Sequence, residues 1–429
     1  KRQEIYLADD RLKSTTVEAE GSRPERAILV GLENSGPYDT LAELGELART
    51  AGANVVGRFT QKKAGADNAT YIGSGKAEEL SLKGSELEAD LFIFDDELTA
   101  VQSRNLEEIL GARVIDRTAL ILDIFAQRAT SREGKLQVEL AQQKYRLPRL
   151  LGQGTVLSRL GGGIGTRGPG EKKLEIDRRR IKRRIFELSE ELNEIEKQRS
   201  LRRARREKNS TPVVALVGYT NAGKSTLLNA LTDASVLAED MLFATLDPVV
   251  RQAELPNGTE VLISDTVGFI NKLPHDLVEA FRSTLEEAAN ADIILHVVDR
   301  SSSYYESQMA VVEDVLSKLG ALDIPRINVY NKCDLTGERT PNDGVFISAA
   351  KGIGIDELLE QIERRINSGR LEVDVVVPYD KYEAMNVIRA EGRILKEDHQ
   401  GDGAHLKIQI NETALWKLKR MLGEGYGQN

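Results

Sequence analysis

The chain reads as an α/β protein: a central domain of buried strands and helices, preceded by a smaller α/β domain with a long helical hairpin and followed by a small α+β domain. Three observations point there. The apolar run 213–217 passes through a glycine-rich loop into an amphipathic segment at 227–231. Short apolar runs alternate with helical spacing between Ala27 and Ile115. Leu174, Ile181, Leu188 and Ile195 recur every seven residues behind a glycine-rich stretch.

A length of 429 residues favours about three domains, and 40% hydrophobic residues beside 30% charged ones suffice for more than one core. The longest apolar runs, such as 293–298 with His296 inside it, fall far short of the ~20 residues a membrane span needs. Cys333 is the single cysteine, which excludes an internal disulfide and a thiolate zinc cluster. A cytoplasmic location is the simple reading, with peripheral membrane association left open. The net charge of −9 argues against a uniformly basic nucleic-acid binder, so local patches decide. The chain begins at Lys1 rather than at a methionine, and its first residues carry no argument about targeting.

Residues 1–24 are polar and irregular, an expected lead-in to the first domain, 1–150. Its apolar runs at 27–30, 53–59, 91–94, 106–110 and 114–115, with a helix near 38–51, suit a mostly parallel sheet. Gly73, Gly75 and Lys76 precede a helix and could meet an anion, but a lone GxGK reads as a plain helix start. From Arg117 onward Leu120, Ile124, Leu136, Leu140 and Leu147 keep helical spacing, a long helix that Pro148 is expected to kink or end.

The next segment, 151–208, holds GGGIGTRGPGE (161–171) and a second helix in which Ile185 and Leu192 support the seven-residue stripe. An antiparallel helical hairpin with the glycine loop at its tip follows. The second helix is basic: Arg178, Arg179, Arg180, Lys182, Arg183 and Arg184, then Arg199, Arg202, Arg203, Arg205 and Arg206. In an acidic chain such a stripe suits a phosphate backbone. The competing reading is a solvated face paired with Glu187, Glu190, Glu191 and Glu194. A flexible tip carrying Gly162, Gly163, Arg167 and Gly168 on a helical arm favours the partner, because it can enter a narrow site. The last segment, 370–429, reads as a strand at 371–378, a helix at 382–390, a hairpin turning at 401–403 and a helix at 412–422, with Trp416 expected in its core.

The central segment, 212–369, carries the chemistry. Gly218, Gly223, Lys224 and Ser225 fill GxxxxGK[ST] between strand and helix, and Ala222 and Thr226 complete the loop. Glycines let backbone N–H groups wrap phosphates, Lys224 reaches the β- and γ-phosphates, and Ser225 Oγ suits Mg²⁺. NKCD (331–334) selects the base: the Asp334 carboxylate can accept from guanine N1–H and N2–H, a pair adenine lacks. Asn331 and Lys332 would brace the base and the phosphate loop, and Ser348 and Ala349 would offer N–H groups to guanine O6. DTVG (265–268) places Asp265 to hold Mg²⁺ through water and the Gly268 N–H near the γ-phosphate. In FATLDP (243–248), Phe243 lies at the nucleotide and Thr245 is the expected switch residue on Mg²⁺. These parts in this order make a P-loop G domain.

Phe269 follows Gly268 where many such proteins place a glutamine that orients water. It cannot polarise water, so intrinsic hydrolysis should be slow and the missing function supplied from outside, by a partner or another ligand. In related GTPases an asparagine at the position of Asn221 coordinates K⁺, an analogy that makes K⁺ a candidate ligand. His275, in LPHDL, could act in catalysis, but an ordinary switch-helix position is the favoured reading.

With VIDRTALILDIFAQRA (114–129), GKLQVELAQ (134–142), GGIGTRGPGE (162–171), LVGYTNAGKSTL (216–227), FATLDP and DTVGFI (265–270), nearly the whole chain resembles the HflX family of ribosome-associated GTPases. The resemblance implies an N-terminal domain ending in a helical arm, a G domain and a variable C-terminal domain. It also implies binding to the large ribosomal subunit, splitting of stalled or idle ribosomes under stress, and a tip loop that reaches toward the peptidyl transferase centre, which assigns the basic arm to ribosomal RNA. Off the ribosome a monomer is expected. Two other readings compete: an assembly or anti-association factor with GTP as a timer, and a separate ATP-dependent RNA activity in 1–150.

Overall fold

The computed structural model describes residues 23–33, 39–63, 65–158, 169–208, 211–232, 241–243, 246–247, 249–274, 277, 281, 288–336, 344–367, 370–381, 383–422 and 427–428, with the backbone alone at 151–158, 169–173, 202–208 and a few helix and strand ends. The chain divides into two compact units. One comprises Lys1–Asn193 with Glu239–Asp247 and Gly268–Arg282; the other comprises Glu194–Ala238, Pro248–Val267 and Ser283–Asn429.

In the first unit β1 (Arg26–Leu32), β2 (Asn54–Gln61), β3 (Leu91–Phe94) and β4 (Arg113–Asp116) form a parallel sheet in the order β2-β1-β3-β4. Between them run α1 (Thr40–Thr50), α2 (Ser74–Glu86) and α3 (Ala100–Leu110), as parallel strands require. The helix starts are legible in the residues: Asp39 accepts from the N–H groups of Leu41 and Ala42, and Thr99 and Gln102 form a capping box. Lys76 pairs with Glu79 in the first turn of α2, as at a plain helix start. Ile28, Val30, Ile72, Leu80, Phe92, Phe94 and Leu106 are fully or almost fully buried along one side of the sheet.

The long helix expected from Arg117 is two: α4 (Arg117–Arg128), capped by Asp116, and α5 (Arg132–Ser158). The break at 129–131 comes from Ala129 in extended backbone and a new cap at Ser131, whose Oγ accepts from Gly134 N at 2.9 Å. Pro148 does not end α5. Proline removes the N–H that would reach Lys144 O, and beside it the Arg149 guanidinium donates to Tyr145 O at 3.0 Å and to Leu98 O and Asp116 Oδ2, each at 2.8 Å, which ties that turn to the end of the sheet.

The second arm helix, α6, runs Pro169–Lys208. Arg132 meets Glu191 at 3.4 Å, and Arg184 grips Glu139 through two bonds of 2.7 and 2.8 Å. Numbers that rise along α5 fall along α6, so the hairpin is antiparallel, as expected, and Leu188 of the stripe is fully buried. The tip residues Gly162, Gly163, Arg167 and Gly168 lie outside the described residues.

In the second unit β5 (Val213–Gly218), β6 (Val249–Glu254), β7 (Glu260–Asp265), β8 (Ile293–Asp299), β9 (Arg326–Asn331) and β10 (Gly344–Phe346) order as β10-β9-β8-β5-β7-β6, with β6 antiparallel to β7 and the other pairs parallel. Helices α7 (Lys224–Leu231), α8 (Tyr305–Lys318) and α9 (Ile355–Asn367) belong to this α/β layer. Strand β5, and β8 apart from His296 and the closing Asp299, read as apolar runs because both faces are covered. His296, buried within β8, is held well below its ordinary pKa, at about 4, chiefly by burial, which keeps it neutral.

The same unit holds β11 (Arg370–Val377), α10 (Glu383–Glu391), β12 (Gly392–Gln400), β13 (Gly403–Asn411), α11 (Glu412–Leu422) and β14 (Gly427–Gln428), an antiparallel sheet in the order β12-β13-β11-β14. Trp416 is not in this core: it is 64% exposed. On α11 the residues Ala414, Leu415, Leu418 and Leu422 take the sheet-facing stripe, and Trp416 falls outside that spacing. Among the described residues no helix is long and apolar enough to cross a membrane.

Candidate functional site

Strand β5 lies at the middle of its sheet, and the loop at its carboxyl end opens α7, the position in which backbone N–H groups and a helix N-terminus converge on an anion. Two of its glycines are required sterically. A Cβ on Gly218 would strike the carbonyl of Val297 on β8, and Gly223 sits at φ +92° with the Asn331 amide where a side chain would be. Asn221 takes a left-handed φ of +60° in the same loop.

Lys224 is 7% exposed, and its ammonium donates to Gly218 O at 3.1 Å and Tyr219 O at 2.9 Å. Burial draws its pKa down to about 8, while the Asp265 carboxylate pulls it back up. Ser225 Oγ donates to Asp265 Oδ2 at 2.7 Å, and Asp265 is fully buried at the end of β7. Thr266 Oγ1 donates to Leu216 O at 2.7 Å, tying the start of DTVG to β5.

At the ends of β9 and β10, Asn331 clamps two loops: its Nδ2 donates to Ala222 O at 2.9 Å, and its Oδ1 accepts from Ala349 N at 3.0 Å. Lys332, at φ +64°, pairs with Asp299 at 2.7 Å. Asp334 meets Lys351 at 3.0 Å, and the Ser348 hydroxyl and Lys351 ammonium hold its carboxyl below the usual range. The N–H groups of Ser348 and Ala349, read from sequence as donors to guanine O6, here donate to Ile353 O and Asn331 Oδ1, each at 3.0 Å. Buried backbone donors take an acceptor within the protein.

Three sets of hydrogen bonds thus gather the site, Lys224 on Gly218, Ser225 on Asp265, and Asn331 on Ala222 and Ala349, with Gly223 packed against the Asn331 amide. Thr226 follows in the first turn of α7. Thr245 and His275 lie outside the described residues. Phe243, Gly268 and Phe269 belong to the first unit, where Phe243 packs edge-on against Phe125 with ring centroids 4.7 Å apart and Phe269 is 1% exposed. Asp299 was not singled out in the sequence, although a carboxylate closing the apolar run of β8 is the signal that would have found it.

On the arm, part of the basic stripe is neutralised. Arg179 pairs with Glu175 at 3.0 Å, Arg183 with Glu187 at 2.9 Å and Arg184 with Glu139. These pairs are mostly exposed and individually weak, and the arginines still face solvent. The side chains of Arg202, Arg203, Arg205 and Arg206 lie outside the described residues.

A sheet of this order with a GxxxxGKS loop, a buried DxxG aspartate and an NKxD clamp defines a P-loop GTPase, an enzyme that hydrolyses GTP to GDP and phosphate. Four family models match the chain: "GTP-binding GTPase N-terminal" over 38–126, "GTP-binding GTPase Middle Region" over 128–206, "50S ribosome-binding GTPase" over 213–332 and "HflX C-terminal domain" over 337–429. A GTPase HflX of Caldanaerobacter subterraneus is 58% identical over 93% of this chain and 94% of its own. That of Escherichia coli is 42% identical over 80% of this chain and 83% of its own. A GTP-binding protein of Sulfolobus solfataricus, in complex with GDP, is 25% identical over 80% of this chain and 99% of its own, with a TM-score of 0.43. The chain belongs to the HflX family of GTPases.

Proposed function

We propose that this GTPase docks on the large ribosomal subunit in its GTP form, with the helical hairpin against ribosomal RNA, that the docked form splits stalled or idle ribosomes, and that hydrolysis triggers release. The observation that carries the reading is the pinned α5–α6 hairpin with its glycine-rich tip in the same chain as the phosphate loop. The domain limits follow the same reading: 1–150, 151–208, 212–369 and 370–429. A cytoplasmic location fits such a partner.

In this reading the N–H groups of 221–226 and the Lys224 ammonium take the phosphates, Asp334 takes guanine, and Asn331 and Lys332 hold those two parts together. Ser225 Oγ and Asp265 form a hard, all-oxygen donor pair 2.7 Å apart, which fits Mg²⁺, with Thr245 as a further ligand. Mg²⁺ there supplies charge neutralisation at the β- and γ-phosphates. Gly268 N–H then faces the γ-phosphate. Phe269 is buried apolar surface and leaves water orientation to the ribosome or to a cation at Asn221. Such an external charge contributes about 10³ to 10⁵ in rate.

Three measurements test this. Co-sedimentation with ribosomal subunits should show large-subunit binding that rises with a non-hydrolysable GTP analogue over GDP. Charge reversal at Arg202, Arg203, Arg205 and Arg206 should weaken that binding and flatten its salt dependence; binding indifferent to nucleotide would overturn the switch, and indifference to the charges would remove the RNA role of the arm tail. The analogue should also support one round of subunit separation if binding does the work. Replacing K⁺ by Na⁺ should lower turnover about tenfold or more if Asn221 holds the cation; equal turnover in both salts removes K⁺ from the mechanism.

A further inference from the structure

The two segments to which the proposed function assigns the γ-phosphate contacts are each clasped, a few residues onward, by the N-terminal fold. Asp247 stands two residues beyond Thr245. Its carboxylate accepts from Thr130 N at 3.0 Å, Thr130 Oγ1 at 2.6 Å, Ser131 N at 2.8 Å and Ser131 Oγ at 2.5 Å. Ser131 is the residue that caps α5, so Asp247 sits on the N-terminus of the first arm helix, where the helix dipole favours an anion. Gly134 is fitted to it: a Cβ there would strike Asp247 Oδ1.

Lys272 stands four residues beyond Gly268. Its ammonium meets Asp95 Oδ2 and Asp96 Oδ1, both at 2.5 Å. These carboxylates follow β3, and the strand order β2-β1-β3-β4 puts the topological switch point between β1 and β3. That is where an α/β sheet takes a ligand, and here Lys272 fills it. Asp95 is itself fixed by Arg117, 2% exposed, which also meets Glu43. Tyr71 hydroxyl donates to Asp96. Phe281 packs edge-on against Phe125 with centroids 4.7 Å apart, and Pro274 and Leu277 line a cavity of about 140 Å³ together with Leu122 and Tyr145 among others.

We propose that Asp247 and Lys272 are positioning residues for GTP hydrolysis, holding the Thr245 and Gly268 segments to the N-terminal fold and tying the start of the arm helix to the state of the nucleotide. Neither touches the reacting atoms. With Phe269 apolar, catalysis leans on backbone and hydroxyl groups whose placement these clasps set, and placement lost by an ångström costs rate rather than binding. The proposal rests on the assignment of Thr245 and Gly268 to the γ-phosphate. That assignment is tested on its own by Thr245→Ala, which should lower turnover with both clasps intact.

The experiment compares Asp247→Asn, Lys272→Met and the conservative Lys272→Arg in the full chain. Steady-state GTP hydrolysis, GDP affinity and amide exchange at 132–137 are measured, the last with GDP and with a non-hydrolysable GTP analogue. Expected for Asp247→Asn and Lys272→Met is a fall in kcat of about tenfold with KM and GDP affinity within twofold, recovery of most of kcat in Lys272→Arg, and, in Asp247→Asn, loss of the nucleotide-dependent difference in exchange at the start of α5. An unchanged or raised kcat, or exchange at α5 that never differs between the nucleotides in the parent chain, overturns the proposal. A normal kcat in Thr245→Ala would instead remove the reading beneath it.

Discussion

Lys224→Ala is expected to weaken GTP and GDP binding by about 100-fold or more, since charge-assisted hydrogen bonds to phosphate contribute about 1.5–3 kcal/mol each. Titration with a fluorescent guanine nucleotide measures it, and unchanged affinity would remove the phosphate assignment. The geometry explains why the loss should be large while the fold survives. The ammonium is buried against two carbonyls of its own loop, which aim it without neutralising it. Its pKa of about 8 shows that the site withholds solvation from the cation, which an incoming phosphate restores. The sign of the pH effect follows. The cation is present below about pH 8 and is lost as pH rises through that value, whereas bound phosphate keeps the lysine protonated. Wild-type affinity should therefore decline between pH 8 and 9, and the alanine variant should lose that dependence. Its nucleotide-free stability should be equal or higher, because a partly desolvated charge is gone.

How much of this was legible in the sequence differs from part to part. The phosphate loop, the DTVG turn and the NKCD clamp were legible because each needs particular residue types at fixed spacing, and sterics then fix Gly218 and Gly223. The hairpin was legible from a seven-residue period, and the C-terminal fold from alternation and turn residues. The break at 129–131 was hidden because Leu120 with Ile124, and Leu136 with Leu140, each keep the four-residue helical spacing, and the half-turn change of phase between the two pairs was passed over. Pro148 does not end α5, and the turn around it is held by Arg149 to Leu98 and Asp116, partners distant in the chain that no local propensity includes. Trp416 misled because hydrophobic residues are not obliged to be inside. The clasps at Asp247 and Lys272 were invisible for another reason: their partners Ser131 and Asp95 are more than 100 residues away in the chain, and a single carboxylate or lysine carries no periodic signal.

Asp334→Asn is expected to invert base choice, lowering preference for GTP and raising that for xanthosine triphosphate, with a combined change of about 10⁴-fold, the scale on which a site built for one hydrogen-bonding edge rejects another. A carboxylate presents two acceptors to guanine N1–H and N2–H. Asparagine presents one acceptor and one donor, which matches N1–H beside the C2 carbonyl of xanthine. The surroundings of Asp334 make the exchange local. Its partner is an exposed lysine, Lys351, while the clamp between loops belongs to Asn331 through Ala222 and Ala349. Replacing one carboxyl oxygen by an amide should leave that clamp and the Lys224 loop in place. The variant should then hydrolyse the xanthine nucleotide at close to the wild-type kcat for GTP, measured with both nucleotides in competition. Retained guanine selectivity would refute the role given to Asp334. Loss of turnover with both nucleotides would mean instead that its contact with Lys351 supports the whole clamp, placing Asp334 among the residues that build the site rather than those that read the base.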